Sequence, residues 1–179
     1  LEKIFFNDEL KFPLLNKTFK ERIVISQNDS NQTIIMLGNQ TCSCQSNEYW
    51  HLKVLESYLS FGMSSVLFKL FREKNGITYD VGVFNPMRKR NAPFLVYLSV
   101  SNKNALSAFG FLSKLWRKLL FSCISEDEVT LAKEKLKASF LLSNQSLDEI
   151  IQRRMQLISY EVRPLTYEEY ISKIVQLWQ

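Results

Sequence analysis

The sequence predicts an α+β domain, with a mainly antiparallel or mixed sheet and helices packed on one face. Three observations predict it. β-branched and alternating apolar runs are confined to the first hundred residues. After Ser101 the apolar period becomes helical and stays so. Three Ser/Thr-x-x-Glu sequences in the second half each open an apolar-periodic segment, as a capping box does.

Taken in order, residues 1–21 mix polar and aromatic residues around Pro13 and read as a lead-in or linker. Residues 22–179 read as a single domain. "RIVIS" and "TIIMLG", separated by the turn residues "QNDSNQ", predict strands over Ile23–Ser26 and Thr33–Gly38. "SNEYWHLKVLESYLSFG" predicts a helix capped by Ser46 or Asn47, with Leu52, Leu55, Tyr58 and Leu59 at helical spacing. Gly62 stands where a left-handed C-terminal residue is wanted, and Gly76 ends a second, short helix from about Ser65 to Lys74 in the same way.

"ITYDVGVF" alternates, with Ile77, Tyr79, Val81 and Val83 on one face, and predicts a strand over Thr78–Phe84. The basic loop "NPMRKRNAP" leads to a strand over Phe94–Val100, with Phe94, Val96, Leu98 and Val100 on one face. The helical run starts with a stripe of Ala105, Ala108, Phe109, Leu112, Leu115, Trp116 and Leu119. The capping pairs follow: Ser125 with Glu128, Ser146 with Glu149, Thr166 with Glu169. The last helix carries Tyr170, Ile171, Ile174, Val175 and Trp178.

At 179 residues the chain can bury a core without staples, and 46% hydrophobic with 23% charged residues is ordinary for a globular domain. A formal charge of +5 is too small to argue for nucleic acid. Cys42, Cys44 and Cys123 are odd in number and scattered, so no disulfide framework is expected, and a reducing compartment (cytoplasm or organellar matrix) is favoured. No apolar run approaches the ~20 residues of a membrane span. "LEKIFFNDELKF" lacks a signal-peptide layout and starts at Leu1, so a piece of a longer chain or a processed product is expected, with any targeting segment upstream.

Candidate chemistry is sparse. His51 is the only histidine and Glu56, five residues on, does not share its helix face, so packing or surface is its expected role. Cys42-Ser43-Cys44 is too closely spaced for a usual zinc-ribbon half and has no second pair. Ser64 and Ser65 lack a placed base, and helix capping is expected of them. No Gly-x-Ser-x-Gly elbow or Gly-rich phosphate loop occurs. A solvated hairpin tip is expected of "MRKR", Met87–Arg90.

The stretch "GMSSVLFKLFREKNGITYDVGVF", Gly62–Phe84, is more specific. It resembles the second-half signature of the pitrilysin/insulinase family of zinc metallopeptidases, which includes the mitochondrial processing peptidase. Gly62, Ser64, Ser65, Leu67, Phe68, Arg72, Glu73, Gly76 and Tyr79 fit its pattern. Phe71 before the arginine and Ile77 in place of a common leucine are mild departures. "QTIIMLGN" and "ISEDEVTLAKEKL" extend the resemblance, more weakly, across residues 22–178, with Val129 replacing a usual leucine.

The resemblance implies two similar α/β halves enclosing a chamber, the first carrying the inverted zinc motif H-x-x-E-H. That motif is missing here, so the chain looks like the second, zinc-free half, inactive alone, with zinc in its partner half. The partner would be fused upstream or be a separate chain. The resemblance assigns Arg72 and Tyr79 to substrate and transition-state contacts in the zinc site. It implies peptide substrates, neither membrane nor nucleic acid as partner, and is compatible with a homo-oligomer. Two other readings stand beside it. One is a non-proteolytic assembly or scaffold subunit of the same family. The other is an unrelated α+β module binding nucleic acid through "MRKR".

Overall fold

A computed structural model of the chain describes residues 30–177. The expected strand Ile23–Ser26, the lead-in of residues 1–21 and Trp178 lie outside the described residues. Strand β1 spans Gln32–Gln40, helix α1 Glu48–Ser60, and a π-helix Phe68–Lys74. Strands β2, Thr78–Phe84, and β3, Pro93–Ser101, follow. A 3-10 turn, Asn102–Asn104, leads into α2, Ala105–Phe121; then come α3, Glu126–Ser143, α4, Leu147–Ser159, and α5, Tyr167–Val175.

The strict alternation of β3 makes it the centre of the sheet. Phe94, Val96, Leu98 and Val100 are buried, while Leu95, Tyr97 and Ser99 between them are half-buried. Both neighbours pair with β3 antiparallel, in the order β1-β3-β2. The registers place Ile35 and Val81 on either side of Leu98, and Leu37 and Val83 on either side of Val96. One face of the sheet is therefore continuous and apolar. It packs against Leu59 of α1, Leu67 and Phe71, and Ala108, Leu112 and Leu115 of α2. Fully burying each large side chain of this kind contributes about 1.5–3 kcal/mol. The other face carries Ile34 and Met36, 64% and 62% exposed. The α+β architecture with helices on one face is the one expected.

A second cluster joins α1, α3 and α5 through Val54, Ala132, Leu136 and Ile174. Within it the Ser57 hydroxyl donates to the Ala132 carbonyl at 2.8 Å, both residues being buried.

The local signals behave unequally. Ser125–Glu128 and Thr166–Glu169 form complete capping boxes. Ser146 forms only half of one, accepting from the Glu149 N–H. Asn47 caps α1 by position without a side-chain hydrogen bond. In α2, Phe111 packs on the core and Phe109 is exposed, contrary to the expected stripe. Phe111, three residues after buried Ala108, lies about 60° from it around the helix, whereas Phe109 lies about 100° away.

Two further expectations are corrected. The segment expected to be an ordinary short helix winds as a π-helix from Phe68. Tyr79 leaves the alternation of its strand. Thr78 pairs with Val100 and Asp80 with Ser99, so Tyr79 is the extra residue of a bulge and is 64% exposed. Ile77, Val81 and Val83 keep the core face.

Candidate functional site

The turn from the π-helix into β2 is closed by its backbone. Gly76 has φ 58°, a conformation that costs a side-chain-bearing residue energy. Across it the Ile77 N–H donates to the Phe71 carbonyl at 3.1 Å. The Asn75 side-chain amide donates to the Leu70 carbonyl at 2.6 Å, five residues back, which is the spacing of π-helical hydrogen bonds. Carbonyls that would otherwise be orphaned at the helix end are thereby satisfied. Phe71, fully buried, anchors the helix to the sheet core. Gly62, with φ 75°, ends α1 in the same left-handed conformation.

Arg72 therefore sits in the last turn of an anchored helix, with its side chain exposed. Its guanidinium carbon stands 5.4 Å from the centroid of the Phe68 ring. Among the described residues it forms no ion pair. Tyr79 stands on the far side of the Gly76 turn, in the bulge, which aims its ring away from the core. The structure puts the two residues on adjoining elements at one corner of the sheet, both open. Neither a hydrogen bond nor a cation–π contact links their side chains among the described residues. Phe68, four residues before Arg72, is the supporting residue that the sequence pattern left without a specific role.

The other candidates do not converge on this corner. Cys42, Cys44 and Cys123 are free thiols. Burial pushes the Cys44 thiol above its ordinary value. Among the described residues no group of three or more His, Cys, Asp or Glu could hold a metal. Ser65 is buried at the start of the segment leading into the π-helix, its N–H donating to the Gly62 carbonyl at 3.1 Å. Its expected capping role is not what the π-helix uses, since the N-terminal position falls on Leu67 without a side-chain bond. The charged side chains of Arg88, Lys89 and Arg90 are exposed on the loop that joins antiparallel β2 and β3, as expected of a solvated hairpin tip, and the loop's backbone is tied down. The Cys44 N–H donates to the Arg88 carbonyl at 2.9 Å, the Thr41 N–H donates to the Ala92 carbonyl at 2.7 Å, and Lys89 pairs with Glu161 at 2.6 Å. No helix among the described residues is long and apolar enough to cross a membrane.

Comparison with known proteins follows this geometry. A family model described as the peptidase M16 inactive domain matches residues 6–136. An uncharacterized zinc protease of Mycobacterium leprae (strain TN) is 26% identical over 120 residues, covering 67% of this chain and 27% of that protein. One of Rickettsia felis is 27% identical over 120 residues, covering 66% and 29% respectively. The chain thus spans less than a third of these relatives' length. Among solved structures, the peptidase M16 inactive domain from Pseudomonas fluorescens superposes with a TM-score of 0.69 at 24% identity, covering 83% of this chain and 35% of that one. A chain of complex III2 from Candida albicans superposes with a TM-score of 0.70 at 18% identity, covering 84% and 38%. At these identities the superpositions speak for the fold.

Proposed function

The chain belongs to the peptidase M16 inactive-domain family, and from that premise we propose that it is the substrate-binding, zinc-free half of a zinc-dependent endopeptidase. On this reading Arg72 and Tyr79 reach into the active site of the zinc-carrying half, and this chain cleaves nothing alone. The observation that carries the reading is the Gly76 corner: two exposed polar side chains held on rigid elements, with no partner among the described residues that uses up their hydrogen-bonding groups.

The chemistry gives both residues work. Zinc-activated water attacks a peptide carbonyl, and negative charge develops on its oxygen. A phenol hydroxyl aimed at that oxygen stabilises the charge most in the transition state. A guanidinium fork holds a peptide carbonyl with a defined direction. Anchored helix and strand ends position such groups without waiting for substrate, and pre-organisation lowers the cost of binding. The π-helix fits this reading, since π-wound turns recur at functional sites.

The test is reconstitution of the enzyme. The zinc-carrying half is assayed on a peptide library with and without this chain. Cleavage that requires the chain supports the proposal; equal cleavage without it refutes it. The scaffold reading has one specific support, the shared fold with a chain of complex III2. It predicts no peptide cleavage by the complete protein under any pairing.

A further inference from the structure

A cavity of about 660 Å³ opens between α1, α3, α4 and α5. Asn85 and Met87, which follow β2, reach its rim, whereas Arg72 and Tyr79 do not line it. Asn85 lies six positions along the chain from Tyr79, a span of roughly 20 Å in an extended strand. The cavity is thus a different place from the Gly76 corner, and its volume lies within the range of small-ligand sites, about 300–1,000 Å³.

Aromatic rings form much of its wall. Tyr170 stacks on Phe140 with ring centroids 3.7 Å apart and meets Trp50 edge-on at 5.3 Å. The charged residues that line the cavity are all cationic: no Asp or Glu is among its lining residues, and Glu56 and Glu149 stand behind them. Two of the lining cations are already neutralised, Lys53 by Glu56 at 2.8 Å and Arg163 by Glu169. Arg153, Arg154 and Lys173 have no carboxylate partner among the described residues.

Arg153 is held in place. Its Nη1 donates to Ser143 Oγ at 2.7 Å and its Nη2 to Asn144 Oδ1, while the guanidinium lies 4.5 Å over the Phe140 ring. A guanidinium has five N–H donors, so these two bonds leave the others available. Burial pushes this guanidinium below its ordinary value, with Arg154 adding to the shift and Tyr170 and Glu149 opposing it. Lys173 lies 5.4 Å over the Trp50 ring.

We propose that this cavity binds an organic carboxylate carried on an aromatic or aliphatic body, from a small acid or from the last residue of a peptide. The rings take the apolar body, and Arg153 with Lys173 takes the carboxylate through charge-assisted hydrogen bonds. Inorganic phosphate would leave the aromatic wall unused. A neutral apolar molecule would dehydrate the cations without pairing them, which is costly. The inference goes beyond the peptidase reading and does not depend on it.

Calorimetry of the full protein tests it with three probes: 3-phenylpropanoate, acetyl-Ala-Phe, and the amide of the same dipeptide. The acids bind saturably, and the amide binds at least about tenfold more weakly, the scale of a lost charged hydrogen bond. Arg153→Gln and Lys173→Gln each weaken acid binding by about the same factor and leave the amide unchanged. Should Arg153→Gln lose its fold, Lys173→Gln carries the test. A dipeptide acid tighter than 3-phenylpropanoate assigns the site to peptide ends, and equal affinities assign it to small acids. Indistinguishable acid and amide, no saturable acid binding at millimolar concentration, or acid binding unaffected by the folded variants overturns the proposal.

Discussion

The guanidinium of Arg72 stands over the Phe68 ring one turn behind it, 5.4 Å from the centroid. At an exposed site a cation–π contact of this kind contributes about 0.5–1 kcal/mol. That is enough to bias the side chain without a substrate and too little to hold it against a peptide carbonyl that offers directional hydrogen bonds.

Arg72→Lys retains the charge and loses the planar fork, so peptide cleavage by the complete enzyme falls while the melting temperature stays within a few degrees. Phe68→Leu, which removes the ring under the arginine, gives a smaller fall in the same direction. Steady-state kinetics of both variants, with melts alongside, measure this. Unchanged kinetics for Arg72→Lys would remove the residue from the site.

Gly76→Ala tests whether the corner is held by its backbone. An added Cβ there meets nothing within 4 Å, so the cost comes only from the left-handed φ of 58°. That cost is about 1–2 kcal/mol. Gly76→Asn, which tolerates the conformation better, costs less than Gly76→Ala in denaturant titrations. The reverse order would show that φ is not the constraint.

The capping boxes make part of the stability acid-sensitive. Hydrogen bonds from Ser125 hold the Glu128 carboxyl below its ordinary value of 4.5, and those from Thr166, followed by Arg163, do the same for Glu169. A carboxyl more acidic in the folded state contributes stability above its unfolded value. That contribution disappears as pH falls through the lower folded value. Glu128 is exposed and Glu169 partly so, so the effect is modest. Melts taken from pH 6 to pH 2 show a loss below about 4.5, and Glu128→Gln flattens it. Ser125→Ala costs about 1 kcal/mol at neutral pH, and Ser146→Ala, with only half a box to lose, costs less.

With one histidine and no grouped acid ligands in the sequence, the isolated chain is expected to bind no zinc tightly. Calorimetry with zinc shows no sub-micromolar stoichiometric event. Such an event, abolished by changing His51 or the Cys42–Cys44 pair, would reveal a zinc site in this half.

Much of the fold was legible because its signals are local. β3 shows its buried face in four alternating residues, and the capping pairs announce three helix starts. The misses arise where local patterns are degenerate. Leu67 and Phe71 are four apart and reach the core whether the chain winds as an α-helix or a π-helix, so apolar spacing did not reveal the π-helix. A bulge does not show in a period-two pattern when the displaced residue, Tyr79, is itself aromatic. The cavity was invisible for another reason: Trp50, Phe140 and Tyr170 are distant in sequence and meet only when α1, α3 and α5 pack. As for the candidate site, an arginine near a helix end and a tyrosine opening a strand are commonplace. Only the likeness of the whole Gly62–Phe84 block singled them out.

The most direct measurement is peptide cleavage by the complete enzyme carrying Tyr79→Phe. The substitution removes one hydroxyl from an exposed ring and leaves core volume untouched. If that hydroxyl donates to the developing oxyanion, turnover falls by about 10²–10³ while the thermal melt is unchanged. Turnover close to that of the unaltered enzyme would contradict the account. A large drop in melting temperature would contradict it too, by showing that the hydroxyl serves the fold.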